Sequence, residues 1–159
     1  FQFNAAFINS VWPTWAIPIA RTLSYTGAAI SFHISGDVIR RFNVFKVILT
    51  GNLYTRIVSS TAYLFPSVLS PLLLSSSSIF YGILVVGKGT LMQNEFRQEQ
   101  RATMGSLDAF AGSIAFGILA FVLGFIADKI GPSLALITAQ LFMLINAYLY
   151  WRLYKYHKP

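Results

Sequence analysis

Apolar and polar residues follow one another along this chain in long blocks rather than in short alternation. The plainest block is 103–126, which holds a single ionisable residue, Asp108. At about 1.5 Å rise per residue, a helix of that length crosses the ~30 Å hydrocarbon core of a bilayer. A charged segment, 93–101, leads into it, and a short loop with Asp128, Lys129, Gly131 and Pro132 is expected to follow. Further blocks at 16–35, 44–64, 68–92 and 132–152 repeat the plan. Residues 1–15 are too short to span. There Trp12 and Trp15 bracket Pro13, as expected of a helix end and turn at the membrane–water interface. No stretch alternates in the manner of a strand, and only helices or closed barrels span lipid. The pattern predicts an all-α, multi-pass transmembrane bundle. It has five full spans and the end of a sixth, forming one partial domain over 1–159. Short connections make neighbouring spans antiparallel.

Composition supports that reading. Of 159 residues, 55% are hydrophobic and only 11% charged, against about 25% charged in soluble domains. Surface-to-volume scaling leaves a soluble fold of this size no room to hide so much apolar surface. There is no cysteine, which removes disulfides, thiol nucleophiles and thiolate metal sites.

The net charge of +7 would suit nucleic acid, but its placement points elsewhere. One set of ends carries Arg40, Arg41, Lys46, Arg97, Arg101, Arg152, Lys155 and Lys158, and the opposite set carries only Lys129. Lys and Arg concentrate in cytoplasmic loops. The expectation is a multi-pass protein of the cell (inner) membrane with a cytoplasmic C-terminus, its partner being the lipid bilayer and not nucleic acid.

Charges inside spans are the informative residues, since each costs about 2.5–3.5 kcal/mol on insertion scales unless paired or hydrated. Lys88 and Asp108 fall at similar depth in adjacent spans. Either they pair, as a gate or coupling contact, or each snorkels to the nearby surface. Arg56 lies midway along its span. It either faces a water-filled cavity or pairs with a carbonyl or an acid. Arg21 is near enough to a surface to snorkel, and the lone His33 makes no metal site. Small residues recur along 103–126 at Gly105, Ala109, Ser113, Gly117, Ala120 and Gly124, within about a third of the helix circumference. Such stripes let helices approach closely in lipid. No catalytic constellation is present. Gly87-Lys88-Gly89-Thr90 lacks the upstream glycine of a phosphate loop. Neither an enzyme nor a cofactor or metal is expected.

Three segments in this order resemble the C-terminal half of a major facilitator superfamily transporter. G-D-V-I-R-R-F-N-V-F-K resembles the family's G-x-x-x-D-R-x-G-R-K loop. Gly36, Arg41 and Lys46 match, Arg40 stands in place of the acid, and Asn43 stands in place of the second glycine. Asn tolerates the left-handed backbone that the glycine provides. E-Q-R-A-T-M-G-S-L resembles the entry to helix eleven. G-F-I-A-D-K-I-G-P, with Gly124, Asp128, Lys129 and Gly131, resembles the loop after it. The resemblance implies helices eight to twelve of a permease, completed by an N-terminal half outside this sequence. It implies proton-coupled or facilitated transport of a small solute by alternating access, a coupling proton being a further partner in the first case. It also draws attention to Tyr25, Lys88 and Asp108 as cavity or gating residues and, by placing helix nine outside the cavity, speaks against substrate contact by Arg56, which stays a candidate on its depth in the span. Three in-span basic groups against one acid point to an anionic solute. The alternative is a small membrane scaffold or assembly subunit without transport activity.

Overall fold

The computed structural model describes residues 2–156, so Lys158 of the basic set lies outside the described residues. In chain order the elements are α1 (Gln2–Val11), a 3₁₀ turn (Thr14–Ala16), α2 (Ile17–Arg41), α3 (Val44–Leu64) and α4 (Ser70–Ser77). A second 3₁₀ turn (Ser78–Phe80), α5 (Tyr81–Glu95), α6 (Gln98–Ile130) and α7 (Pro132–Tyr156) complete it. Among the described residues there is no strand, and the all-α expectation holds.

The expectation of five full spans does not carry over. Three segments are both long and apolar enough to cross a membrane: the rod Ser70–Glu95, α6 and α7. Helices α2 and α3 have the length, but Arg21, Thr22, Ser24, Thr26 and His33 in one, and Asn52, Arg56, Ser59, Ser60 and Thr61 in the other, lower their apolarity. Helix α3 packs against α4, α5 and α7, which leave Ser59 buried and Asn52, Arg56 and Ser60 half-buried. A helix covered by other helices needs no unbroken apolar surface. Helix α2 packs against α4 and α5 along one face only, and its Arg21, Thr22, Thr26 and His33 are exposed.

The connections are shorter than the charge pattern suggested, and the expected loops are mostly helix. In the 36–46 segment, Gly36, Arg40 and Arg41 lie in α2 and Lys46 in α3, leaving only Phe42 and Asn43 between them. No proline interrupts 36–41, Asp37 pairs with Arg40 one turn on, and Arg40 and Arg41 occupy the last turn, where cations suit the helix dipole. Asn43 does not adopt a left-handed backbone. At φ −61° and ψ 128° it caps α3, its side chain accepting a 2.9 Å bond from Phe45 N–H. Gly124, Asp128 and Lys129 are likewise inside α6, and only Gly131 is a junction. Its φ of +86° is the backbone that favours glycine, and Pro132 then opens α7.

The core sits where α1, α2, α3, α4 and α7 meet, around Phe7, Ala20, Ala62, Tyr63, Leu74 and Leu136. Phe7 and Tyr63 stack edge to face at 5.0 Å. Trp12 Nε1 donates to the Val68 carbonyl at 2.8 Å, tying the end of α1 to the α3–α4 turn.

Close helix contact follows a small-residue stripe, though not the expected one. On α2, Ala20, Ser24, Gly27, Ser31 and Ser35 fall within about 80° of one another at 100° per residue, and all but the half-buried Ser24 are buried. Gly82 of α5 touches this helix so closely that an added Cβ would lie 2.4 Å from Phe32 N. Next to it, Ile83 N–H donates to the fully buried Ser31 Oγ at 3.0 Å. On α6, Ala109, Ser113 and Gly117 are exposed, Gly105, Ala120 and Gly124 are half-buried, and no α6 residue is buried. Among the described residues the stripe is thus covered only in part, at Gly105, Ala120 and Gly124. Helix α6 lies at the edge of the bundle, against α7 and the end of α5, and its half-buried positions gather at 119–127 near the Gly131 turn.

Candidate functional site

A cavity of about 280 Å³ opens between α1, α2, α3 and the α4–α5 rod. Each wall follows from local sequence. Helix α2 presents Arg21 and Tyr25 one turn apart, and α3 presents Thr55, Arg56, Ser59 and Tyr63 at helical spacing. The α4–α5 rod contributes its serine run where the backbone tightens into the 3₁₀ turn Ser78–Phe80. Such a change of pitch inside a long helix commonly marks a hinge or strain.

Arg56 is anchored rather than free. Its Nη1 donates to Gln140 Oε1 at 2.7 Å and contacts Met143 Sδ at 2.9 Å, both on α7. Gln140 is itself buried. The partner is thus the carbonyl oxygen of a side-chain amide, where a backbone carbonyl or an acid outside this sequence was expected. Two buried atoms beside it have no hydrogen-bond partner, Arg56 Nε and Thr55 Oγ1. Tyr63 Oη donates to Asn4 Oδ1 at 2.7 Å, linking α3 to α1 across the cavity edge.

Three of the five serine hydroxyls on the cavity wall are committed as donors. Ser24 gives its proton to the Ala20 carbonyl at 3.0 Å, Ser75 to Pro71 at 2.8 Å and Ser77 to Leu74 at 2.6 Å. Such back-bonding satisfies a hydroxyl inside a helix and leaves its lone pairs exposed as acceptors. The cavity wall therefore offers cationic donors from two arginines and acceptor oxygens from serines. None of the chain's five carboxylates lines it.

Of the four candidates from sequence, the structure brings Tyr25 and Arg56 to this cavity and places Lys88 and Asp108 elsewhere. Lys88 Nζ on α5 lies 2.8 Å from both carboxylate oxygens of Asp108 on α6. Both side chains are about half exposed, at 50% and 48%. This pair is the main polar link between α6 and the rest of the bundle. The segments singled out for their motif resemblance, around Gly36, Arg40, Arg41 and Lys46 and around Gly124, Asp128, Lys129 and Gly131, lie away from the cavity.

Sequence reasoning set Arg21 aside as a snorkelling cation and passed over Tyr81, Asn4 and Gln140. Arg21 was legible as an in-span cation. Gln140 carried no signal, because its role depends on a residue 84 positions away. Among the described residues no group of three His, Cys, Asp or Glu side chains gathers as a metal-binding set. No family model matches this chain, and neither a curated protein nor a solved structure does.

Proposed function

We propose that this chain is the C-terminal half of a secondary transporter, moving a small solute by alternating access in the manner of the major facilitator superfamily. The carrying observation is the polar cavity of about 280 Å³ among the helices of a membrane-embedded bundle, with Arg56 locked at its wall. Transporters bind solutes near the midplane, at the interface of structural repeats and beside interrupted helices. The 3₁₀ turn in the Ser70–Glu95 rod is such an interruption. On this reading α2 and α3 also cross the membrane, which makes five spans, and the basic ends and the C-terminus are cytoplasmic in the inner membrane. The Lys88–Asp108 pair acts as a gating contact, broken when α6 moves against α5. The transporter is a permease and not an enzyme, with a proton as the coupling ion.

The uncovered face of α6 favours a second element seated against it, and the reading assigns that place to the N-terminal half. The same face would serve an oligomeric scaffold, which is the competing proposal. The native locus separates the two. About six further spans in frame upstream of Phe1 are expected of a six-plus-six transporter, and a stop codon immediately upstream overturns the reading. Solute uptake by the full-length protein in liposomes, lost in Arg56→Gln and Tyr25→Ala, is the functional test.

A further inference from the structure

We infer that the cavity between α1, α2, α3 and the α4–α5 rod takes a small polyhydroxylated carboxylate. The inference rests on the transporter reading only for its biological purpose, since binding is testable without transport.

Charge is the first reason. Arg21 and Arg56 both line the cavity, and no carboxylate does. Asp37 pairs with Arg40 and Asp108 with Lys88, both away from the cavity. Two guanidinium groups without a counter-charge on their wall attract an anion, and the planar fork of Arg suits a carboxylate in particular. The hold of Gln140 and Met143 on Arg56 fixes one guanidinium in position, so little ordering remains to be done when a ligand arrives.

Hydrogen-bonding capacity is the second reason. Ser24, Ser75 and Ser77 have spent their protons on helix carbonyls and face the cavity wall as acceptors. A bare fatty acid or inorganic halide offers them nothing. Ligand hydroxyls donate to these oxygens while the carboxylate accepts from the arginines. Tyr25 and Tyr81, both largely exposed, add aromatic faces on which a carbon backbone can lie. A volume of about 280 Å³ suits a solute of sugar-acid size rather than a peptide or a lipid.

The test uses the full chain in lipid nanodiscs and radiolabelled gluconate as the probe. Saturable binding is expected, with glucose, which lacks the charge, and hexanoate, which lacks the hydroxyls, each competing at least tenfold more weakly. A hydrogen bond to a charged group corresponds to roughly tenfold or more in affinity. Arg21→Gln should therefore weaken gluconate binding by roughly that factor. Arg21 sits on an exposed position, so this variant is expected to fold even if Arg56→Gln does not. Arg97→Gln, exposed and remote from the cavity, should bind as the parent does. No saturable binding, equal competition by glucose, or unchanged binding in Arg21→Gln overturns the inference. Gluconate binding by a full-length protein that catalyses no flux overturns the transporter reading and leaves the anion site standing. Flux of a cation or neutral solute without gluconate binding does the reverse.

Discussion

Replacing Gly82 by alanine would strike the closest helix contact in the bundle. An added Cβ would lie 2.4 Å from Phe32 N and 2.8 Å from Phe32 Cα, where ordinary contact starts at 3.4 Å. The obstacle is backbone, so no rotamer change relieves it. The two helices must part locally by about 1 Å (3.4 less 2.4). A gap of 0.5–1 Å forfeits about a quarter to a half of each dispersion contact across it. The adjacent bond from Ile83 N–H to Ser31 Oγ, now 3.0 Å, stretches out of range; a buried donor left without its partner costs about 1–3 kcal/mol. Overpacking by itself costs about 1–3 kcal/mol. Together these place Gly82→Ala at about 2–6 kcal/mol of destabilisation. The assay is reversible unfolding of the full chain in mixed micelles or by steric trapping in bicelles, with Gly112→Ala as control. Gly112 has nothing within 4 Å of the added carbon, so its variant should be neutral or slightly more stable. A Gly82→Ala protein within about 0.5 kcal/mol of the parent, the usual effect of an innocuous surface change, would refute the close α2–α5 approach.

The remaining predictions concern charge and turn chemistry. Neutralising either Lys88 or Asp108 strands a charge, so each single variant should lose about 1–3 kcal/mol in bicelles while Lys88→Gln/Asp108→Asn recovers most of it. A double-mutant cycle with coupling under about 0.5 kcal/mol would show that the half-exposed pair merely coexists. Gln140→Leu removes the acceptor of Arg56 and should cost about 1.5–3 kcal/mol, with Gln140→Glu retaining most stability, as read by the same unfolding assay. Equal loss in both would mean that residue 140 acts through shape. Gly131→Ala forces a side chain into the left-handed region and should lower the thermal midpoint by an amount corresponding to about 1 kcal/mol. An unchanged midpoint would show that the α6–α7 turn relaxes freely.

The sequence alone determined the class of structure, because helix formation and membrane insertion depend on local quantities. Block length, apolarity and the absence of strand alternation were enough for an all-α chain with helices of membrane length, and for breaks within 36–46 and 93–101, about Pro66 and before Pro132, which the structure narrows to 42–43, 96–97, 65–69 and 131. The adjacency of Lys88 and Asp108 was legible for the same reason: a short turn brings consecutive helices together at a depth that counting residues gives.

Other features depend on how the chain is routed, which local pattern does not encode. Small residues recur at helical spacing on both α2 and α6, yet only the α2 stripe is buried, since α5 returns against it, whereas α7 packs on α6 and leaves Ala109, Ser113 and Gly117 exposed. The basic 36–46 segment looked like a loop because charge suggested exposure, but exposed charge is equally at home in the last turn of a helix. Arg56 finds Gln140 across 84 residues, and Arg21, Tyr25 and the serines become one cavity only when four stretches of chain converge. Spacing along the sequence fixes which residues share a face. Which face meets a neighbour, and with what chemistry opposite, is settled by tertiary packing alone.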